Sequence, residues 1–160
     1  MKKLLAMSLI ASSLIAADFS TIFSKGQKNF GFGVGSSSGY GNTYTVVSAT
    51  LNYFVQDNIS AGIGYQGWFG DSPKINELSI PVTYYHPYDE KYHPYIGATY
   101  RHTFIDEPYE DYDVYAGRVG IAAIMGENAY VSAGWVQEHR THGGESEDKG
   151  YPEVSMGFVF

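Results

Sequence analysis

From Lys28 onward the chain is built from segments in which apolar residues alternate with small or polar ones, and turn residues separate the segments. A period of two is the signature of a strand with two different faces. Segment one, about 28–36, sets Phe30, Phe32 and Val34 against Gly31, Gly33 and Gly35. Segment two, about 43–55, sets Val47, Ala49, Leu51, Tyr53 and Val55 against Ser48, Thr50 and Asn52. The third, about 58–69, carries Ile59, Ala61, Ile63 and Tyr65 on its apolar face, and the fourth, about 77–86, carries Leu78, Ile80, Val82 and Tyr84. Segments five to seven span about 93–104, 112–124 and 128–139, with Ile96, Ala98, Tyr100 and Phe104, then Tyr115, Val119 and Ile121, then Val131, Ala133 and Trp135 on the apolar face. The eighth is the tail Gly150–Phe160, where Pro152, Val154, Met156, Phe158 and Phe160 share one face and Glu153, Ser155 and Gly157 the other.

Such a hydrophobic final strand needs a partner on each edge and an apolar medium beside it, and closing a barrel inside a bacterial outer membrane supplies both. Eight is an even number of segments, and each is close to the roughly 9–11 residues that a tilted membrane strand requires. The sequence therefore predicts an all-β chain, an eight-stranded antiparallel up-and-down transmembrane β-barrel. The connections alternate too. Gln56-Asp57, Asp89-Glu90-Lys91 and Gly126-Glu127 are tight, whereas Ser37–Asn42, Gly70–Asn76, Ile105–Asp111 and Arg140–Lys149 read as longer loops. Short turns on the periplasmic side and longer loops outside is the asymmetry of outer-membrane barrels. A weak repeat fits the same layout: Ile59-x-Ala61-x-Ile63-x-Tyr65 is echoed by Pro94, Ile96, Ala98, Tyr100 and again by Ala129, Val131, Ala133, Trp135.

The other end predicts export. Met1-Lys2-Lys3 is a basic start, Leu4–Ile15 is apolar but too short to span a bilayer, and Ala16-Ala17 precede the polar Asp18. This is the pattern of a signal peptide over 1–17, followed by a periplasmic segment over 18–27 and the barrel over 28–160. No cysteine is present, so stability has to come from packing and hydrogen bonds. A net charge of −7, made more acidic by losing Lys2 and Lys3, argues against a nucleic-acid partner. A mean hydropathy of −0.22 excludes a helical membrane protein but not a barrel, whose strands show lipid at every second residue.

Aromatic residues are 16% of the chain and gather near strand ends. Tyr53, Tyr84, Tyr88, Tyr92, Phe158 and Phe160 lie towards the short turns, and Phe69, Phe104, Tyr112, Trp135 and Tyr151 towards the long loops. With Tyr65 and Tyr100 they are expected to form the two interfacial girdles of a lipid-facing surface. The opposite face reads as a lumen holding Glu77, Arg101, Arg118, Glu138 and Glu153. Charges inside a narrow barrel must be paired, so Arg101 and Arg118 are each expected to bridge lumen carboxylates in a polar plug, leaving no open pore.

Signal peptide, eight alternating strands and terminal Phe160 together resemble the small outer-membrane barrels of the OmpA, OmpX and OmpW type. The resemblance implies a monomer in the outer membrane of a Gram-negative bacterium, in contact with membrane lipid and lipopolysaccharide. Val154, Met156, Phe158 and Phe160 resemble the C-terminal signal read by the barrel-assembly machinery. No activity follows from the architecture itself, and a structural or surface-interaction role is expected, with no cofactor. The alternative reading is a lipid A-modifying enzyme, by acyl transfer or deacylation, centred on His139. The run Glu138-His139-Arg140-Thr141-His142 supplies a base, with carboxylates at Glu145, Glu147 and Asp148 but no serine in its sequence neighbourhood. His139 and His142 beside those acids are weak metal spacing, and no metal site is expected. His86 and His93 flank the second turn and read as interfacial. The acidic run Asp106, Glu107, Glu110, Asp111, Asp113 reads as a soluble loop, or as a surface meeting lipopolysaccharide phosphates through bridging divalent cations.

Overall fold

Eight strands in chain order close on themselves: β1 (Lys28–Gly39), β2 (Asn42–Gln56), β3 (Ile59–Phe69), β4 (Ile75–Tyr85), β5 (Tyr92–Ile105), β6 (Tyr112–Ile124), β7 (Ala129–His142) and β8 (Glu145–Val159). The structure is a computed structural model that describes residues 22–39, 41–70, 72–142 and 145–160, with the backbone alone for 35–39, 142 and 145. The expected signal peptide, 1–17, and its cleavage point lie outside the described residues. Every neighbouring pair is antiparallel, and β8 returns to β1. Closure removes the free edges that an eight-stranded sheet would otherwise expose.

The two faces separate by alternation. Phe30, Phe32, Val34, Leu51, Ile63, Leu78, Ile80, Val82, Ile96, Val119, Ile121, Val154 and Met156 are all exposed on the outside of the wall. Tight turns join the strands at one end. Asn58 adopts φ 64° there, a left-handed conformation that asparagine tolerates better than most residues. Between β4 and β5 the Asp89 carboxylate accepts the backbone N–H groups of Lys91 and Tyr92 at 2.7 and 2.6 Å, and these bonds hold its pKa below the usual carboxylate range. Pro81 sits within β4, and register with β3 lapses at that level between Ala61/Val82 and Gly64/Ser79, since proline offers no N–H to the ladder.

The strands outrun their sequence limits at the long-loop end. Arg140–Lys149, expected as a loop, is mostly ladder: Glu138 faces Lys149, His139 faces Asp148, Arg140 faces Glu147 and Thr141 faces Ser146. Opposite charges across an antiparallel pair stabilise the ladder, so a composition that reads as solvated loop here zips two strands together. Ser37–Asn42 is likewise mostly strand, with Gly39 in register with Asn42.

Of the expected periplasmic segment 18–27, the described part, 22–27, folds back under the barrel: the amide of Gly26 donates to Phe54 O and that of Asn58 to Phe23 O, at 2.9 and 2.7 Å. The Lys25 amide donates to Asp57 Oδ1 at 2.7 Å. These bonds drive the Phe23 side chain up into the barrel, where it is completely buried.

Candidate functional site

The lumen is two chemically distinct storeys. At the short-turn end Phe23, Phe54, Tyr85, Tyr95, Ala122, Tyr130 and Val159 form one buried cluster. Phe23 stacks on Tyr85 at 4.2 Å between ring centroids and meets Tyr130 and His93 edge-on at 5.2 and 5.0 Å. Each of these side chains except Phe23, which lies before β1, takes the inward parity of its strand. The hydroxyls of Tyr85 and Tyr130 are tied off, Asn29 Nδ2 donating to Tyr130 Oη at 2.6 Å and the two hydroxyls lying 3.2 Å apart, whereas both ring nitrogens of His93 are buried without a hydrogen-bond partner among the described residues. Gly120 and Gly134 face each other across β6 and β7, and a Cβ on either would fall within 2.6 Å of the Tyr95 hydroxyl. Only glycine lets that ring fill the lumen.

Above this floor lies the charged storey. Glu77 and Glu138 are 2% and 1% exposed. Glu77 Oε2 accepts from Gln66 Nε2, and Glu77 Oε1 accepts from the Thr103 hydroxyl at 3.1 Å. Arg101 spans the lumen between two carboxylates, reaching Glu77 at 3.5 Å through Nη1 and Glu138 through Nη2. Glu138 takes two further donors, the Tyr151 hydroxyl at 2.6 Å and Arg140 Nη2 at 3.2 Å. Two buried anions thus share two guanidinium cations and a set of neutral donors, the condition under which buried charge is tolerable.

Arg118 departs from the expectation that it too bridges two acids. Among the described residues it forms an ion pair with Glu153 alone, and its guanidinium lies over the Tyr95 ring at 5.9 Å. Its height explains this: β6 places it against the aromatic floor, beneath the level of Glu77 and Glu138. The five charges expected in the lumen therefore fall into a group of three, Glu77, Arg101 and Glu138, and a separate pair, Arg118 and Glu153.

Three further expectations are corrected. Tyr112 and Tyr151, assigned to the outer girdle, face the lumen; Arg140 lies over Tyr112 at 5.8 Å and Tyr151 bonds Glu138. His93, read as interfacial, is fully buried beside Phe23, whereas His86 is exposed. Arg140, read as loop, is a lumen cation. In each case the parity of a neighbour, Glu153 for Tyr151, Arg118 for Tyr112 and Glu138 for Arg140, carried the signal.

On the outside, Tyr53, Tyr65, Tyr100, Phe104, Trp135, Phe158 and Phe160 are exposed with Val154 and Met156, and Tyr84 is half-buried on the same face. Polar pairs sit at the long-loop end of this surface. His102 Nδ1 is 2.7 Å from Asp113 Oδ1, which also accepts from the Tyr100 hydroxyl, and His139 Nδ1 is 2.8 Å from Asp148 Oδ1. His139 thus points away from the lumen. The extended hairpin brings Ser146 to the same outward face, opposite Thr141. No group of three or more His, Cys, Asp or Glu side chains is arranged to hold a metal ion among the described residues.

No protein-family model and no curated protein matches the sequence. Solved structures do match the fold. The N-terminal β-barrel domain of Pseudomonas aeruginosa OprF superposes with a TM-score of 0.61 at 17% identity, over 86% of this chain and 98% of that one. Neisserial surface protein A gives 0.54 at 15%, over 83% and 93%. The outer membrane protein OprG from Pseudomonas aeruginosa gives 0.54 at 13%, over 88% and 99%. The chain has the fold of the small eight-stranded outer-membrane β-barrels.

Proposed function

We propose that this chain is a monomeric outer-membrane barrel of a Gram-negative bacterium with a structural or surface-interaction role, and that its lumen passes no solute. The observation that carries the reading is the aromatic floor around Phe23, which fills the short-turn end beneath the charged storey. An apolar outer wall of exposed Phe, Ile, Leu and Val suits lipid, and the polar pairs at the long-loop end suit a lipopolysaccharide headgroup layer. The outward exposure of Val154, Met156, Phe158 and Phe160 supports a reading in which the barrel-assembly machinery engages this strand during insertion.

Planar-bilayer recording of the purified chain tests the closed lumen. No discrete conductance steps are expected; reproducible steps of one size would overturn it. Fractionation with the outer membrane, and a mobility shift between unheated and boiled samples, test the location. The enzyme alternative has a specific foothold in the His139–Asp148 pair, but no hydroxyl is hydrogen-bonded to the other nitrogen of His139 among the described residues. Lipid A mass spectra with and without the gene discriminate the readings, and identical spectra are expected.

A further inference from the structure

One piece of the lumen floor does not belong to the wall. The barrel closes at Lys28, which exchanges backbone bonds of 2.8 and 2.9 Å with Phe160, and the strap 22–27 precedes it. The strand ladder uses none of the strap's residues. Its backbone is tied to the end of β2 and the β2–β3 turn, where Phe54 N donates to Gln27 O at 2.9 Å alongside the Gly26, Asn58 and Lys25 bonds. Gly26 turns the chain there with φ 92°, a left-handed conformation that glycine adopts without strain. From this attachment the Phe23 ring reaches across the lumen to Tyr85, His93 and Tyr130 on β4, β5 and β7.

Phe23 seals in a side chain whose polar atoms go unanswered. His93 is 0% exposed, and neither of its ring nitrogens has a hydrogen-bond partner among the described residues. Whichever nitrogen carries the proton, its N–H lacks an acceptor and the other nitrogen lacks a donor. The strap meets it with the Phe23 ring, and β6 with Ala122, its partner in register. The Tyr85 and Tyr130 hydroxyls are engaged with each other at 3.2 Å. Arg118 on β6 is held by Glu153 over the Tyr95 ring. On the strap side the charges are Lys25 and Asp57, both exposed. The adjoining β4–β5 turn contributes exposed His86 and half-buried Asp89, whose carboxylate is occupied by the Lys91 and Tyr92 amides.

A second proton on His93 makes a cation with two N–H donors, and the seated strap leaves both without an acceptor, a costly arrangement. Water supplies those acceptors once Phe23 withdraws. The released form therefore binds one proton more than the seated form, so falling pH favours release, by up to about tenfold per pH unit. A hydrated imidazole titrates near about pH 6.5, and release grows below that point. Above the floor, a cavity of about 610 Å³ in the charged storey reaches down to Tyr85, Tyr95 and Tyr130. The floor is thus the partition between that space and the short-turn end.

We propose that segment 22–27 is a proton-released strap: protonation of His93 unseats Phe23 and opens the floor of the lumen at the short-turn end. The proposal rests on the closed-lumen reading above.

The test uses the full chain in phosphatidylcholine nanodiscs, its folding verified at each pH by the heat-dependent gel shift. The chain has no cysteine, so Ala122→Cys places a single thiol in the floor opposite His93, and Glu127→Cys, in a separate chain, places one in an exposed turn. Both are treated with the membrane-impermeant 2-sulfonatoethyl methanethiosulfonate, and the ratio of their rates cancels the thiolate's own dependence on pH. The Ala122→Cys thiol is expected to be protected at about pH 7.5, with the ratio rising at least about tenfold at about pH 5. His93→Leu is expected to abolish the rise, and Phe23→Ala to make the thiol reactive at both pH values. Where Ala122→Cys does not fold, Val159→Cys in the same floor replaces it. A ratio that acid leaves unchanged, or that rises equally with His93→Leu, overturns the proposal. A floor thiol that reacts as fast as the exposed one already at neutral pH overturns the closed-lumen reading itself.

Discussion

The two storeys of the lumen solve the same problem with opposite chemistry. Below, a narrow interior is filled by aromatic rings whose few hydroxyls and amides bond one another. Above, it is lined by ions whose desolvation is offset by pairing and by neutral donors. Rings lose little when one neighbour is trimmed except the volume itself, because dispersion is non-directional. Ion networks lose much more, since removing one member leaves an uncompensated buried charge. The comparison predicts that single truncations in the charged storey cost more than those in the floor, although the floor buries more apolar surface.

The sharpest way to break the comparison is Glu138→Ala. It removes the buried carboxylate of Arg140 and leaves Arg101 with Glu77 alone, and is expected to destabilise by about 3–5 kcal/mol, read as a lowered midpoint in guanidinium unfolding. A cost below that of the floor truncation would reverse the ranking. Phe23→Ala removes the ring that touches Phe54, Tyr85, His93 and Tyr130, and about 3 kcal/mol is expected from the lost transfer and the cavity left behind. If Phe23→Ala leaves the midpoint unmoved, the segment 22–27 is not a stopper. Arg118→Ala breaks a single ion pair with Glu153 that is less buried than Glu77 and Glu138, and is expected to cost only about 1–2 kcal/mol. A cost equal to that of Glu138→Ala would merge the two groups of charges.

The smallest effect belongs to the turn outside both storeys. The Asp89 carboxyl is held below its ordinary pKa by two backbone amides. Its contribution is therefore fully present above the usual carboxylate range and is lost as pH falls through it towards the depressed folded value. Asp89→Asn should flatten the slope of unfolding midpoint against pH in that acidic window and leave neutral pH nearly unchanged. A slope identical to that of the parent chain would show that the turn is not held by this carboxylate.

Much of the barrel was legible because alternation is a strict code: one residue of slip turns every side chain to the wrong face. Strand number, order and facing came from it, and so did the inward placement of Glu77, Arg101 and Glu138. Where sequence and structure differ, composition conflicts with parity and parity wins. Tyr112 and Tyr151 sit at the height of exposed aromatics but share the parity of Arg118 and Glu153. The run 140–149 has the charge of a loop, yet its charges sit opposite one another across a ladder. Two features had no local signal. Phe23 lies outside any periodic segment, so nothing near it announces that it enters the barrel. The short β1–β8 register, from Asn29/Val159 to Phe32/Met156, depends on how two distant strands diverge.

Phe23 also bears on the order in which the molecule can assemble. Its ring partners come from β2, β4, β5 and β7, strands that adjoin only once the sheet has curled. No partial sheet offers all four, so a residue that precedes β1 is among the last to find its place. Seating it makes the earliest-synthesised part of the barrel a latch that registers completion of the rest.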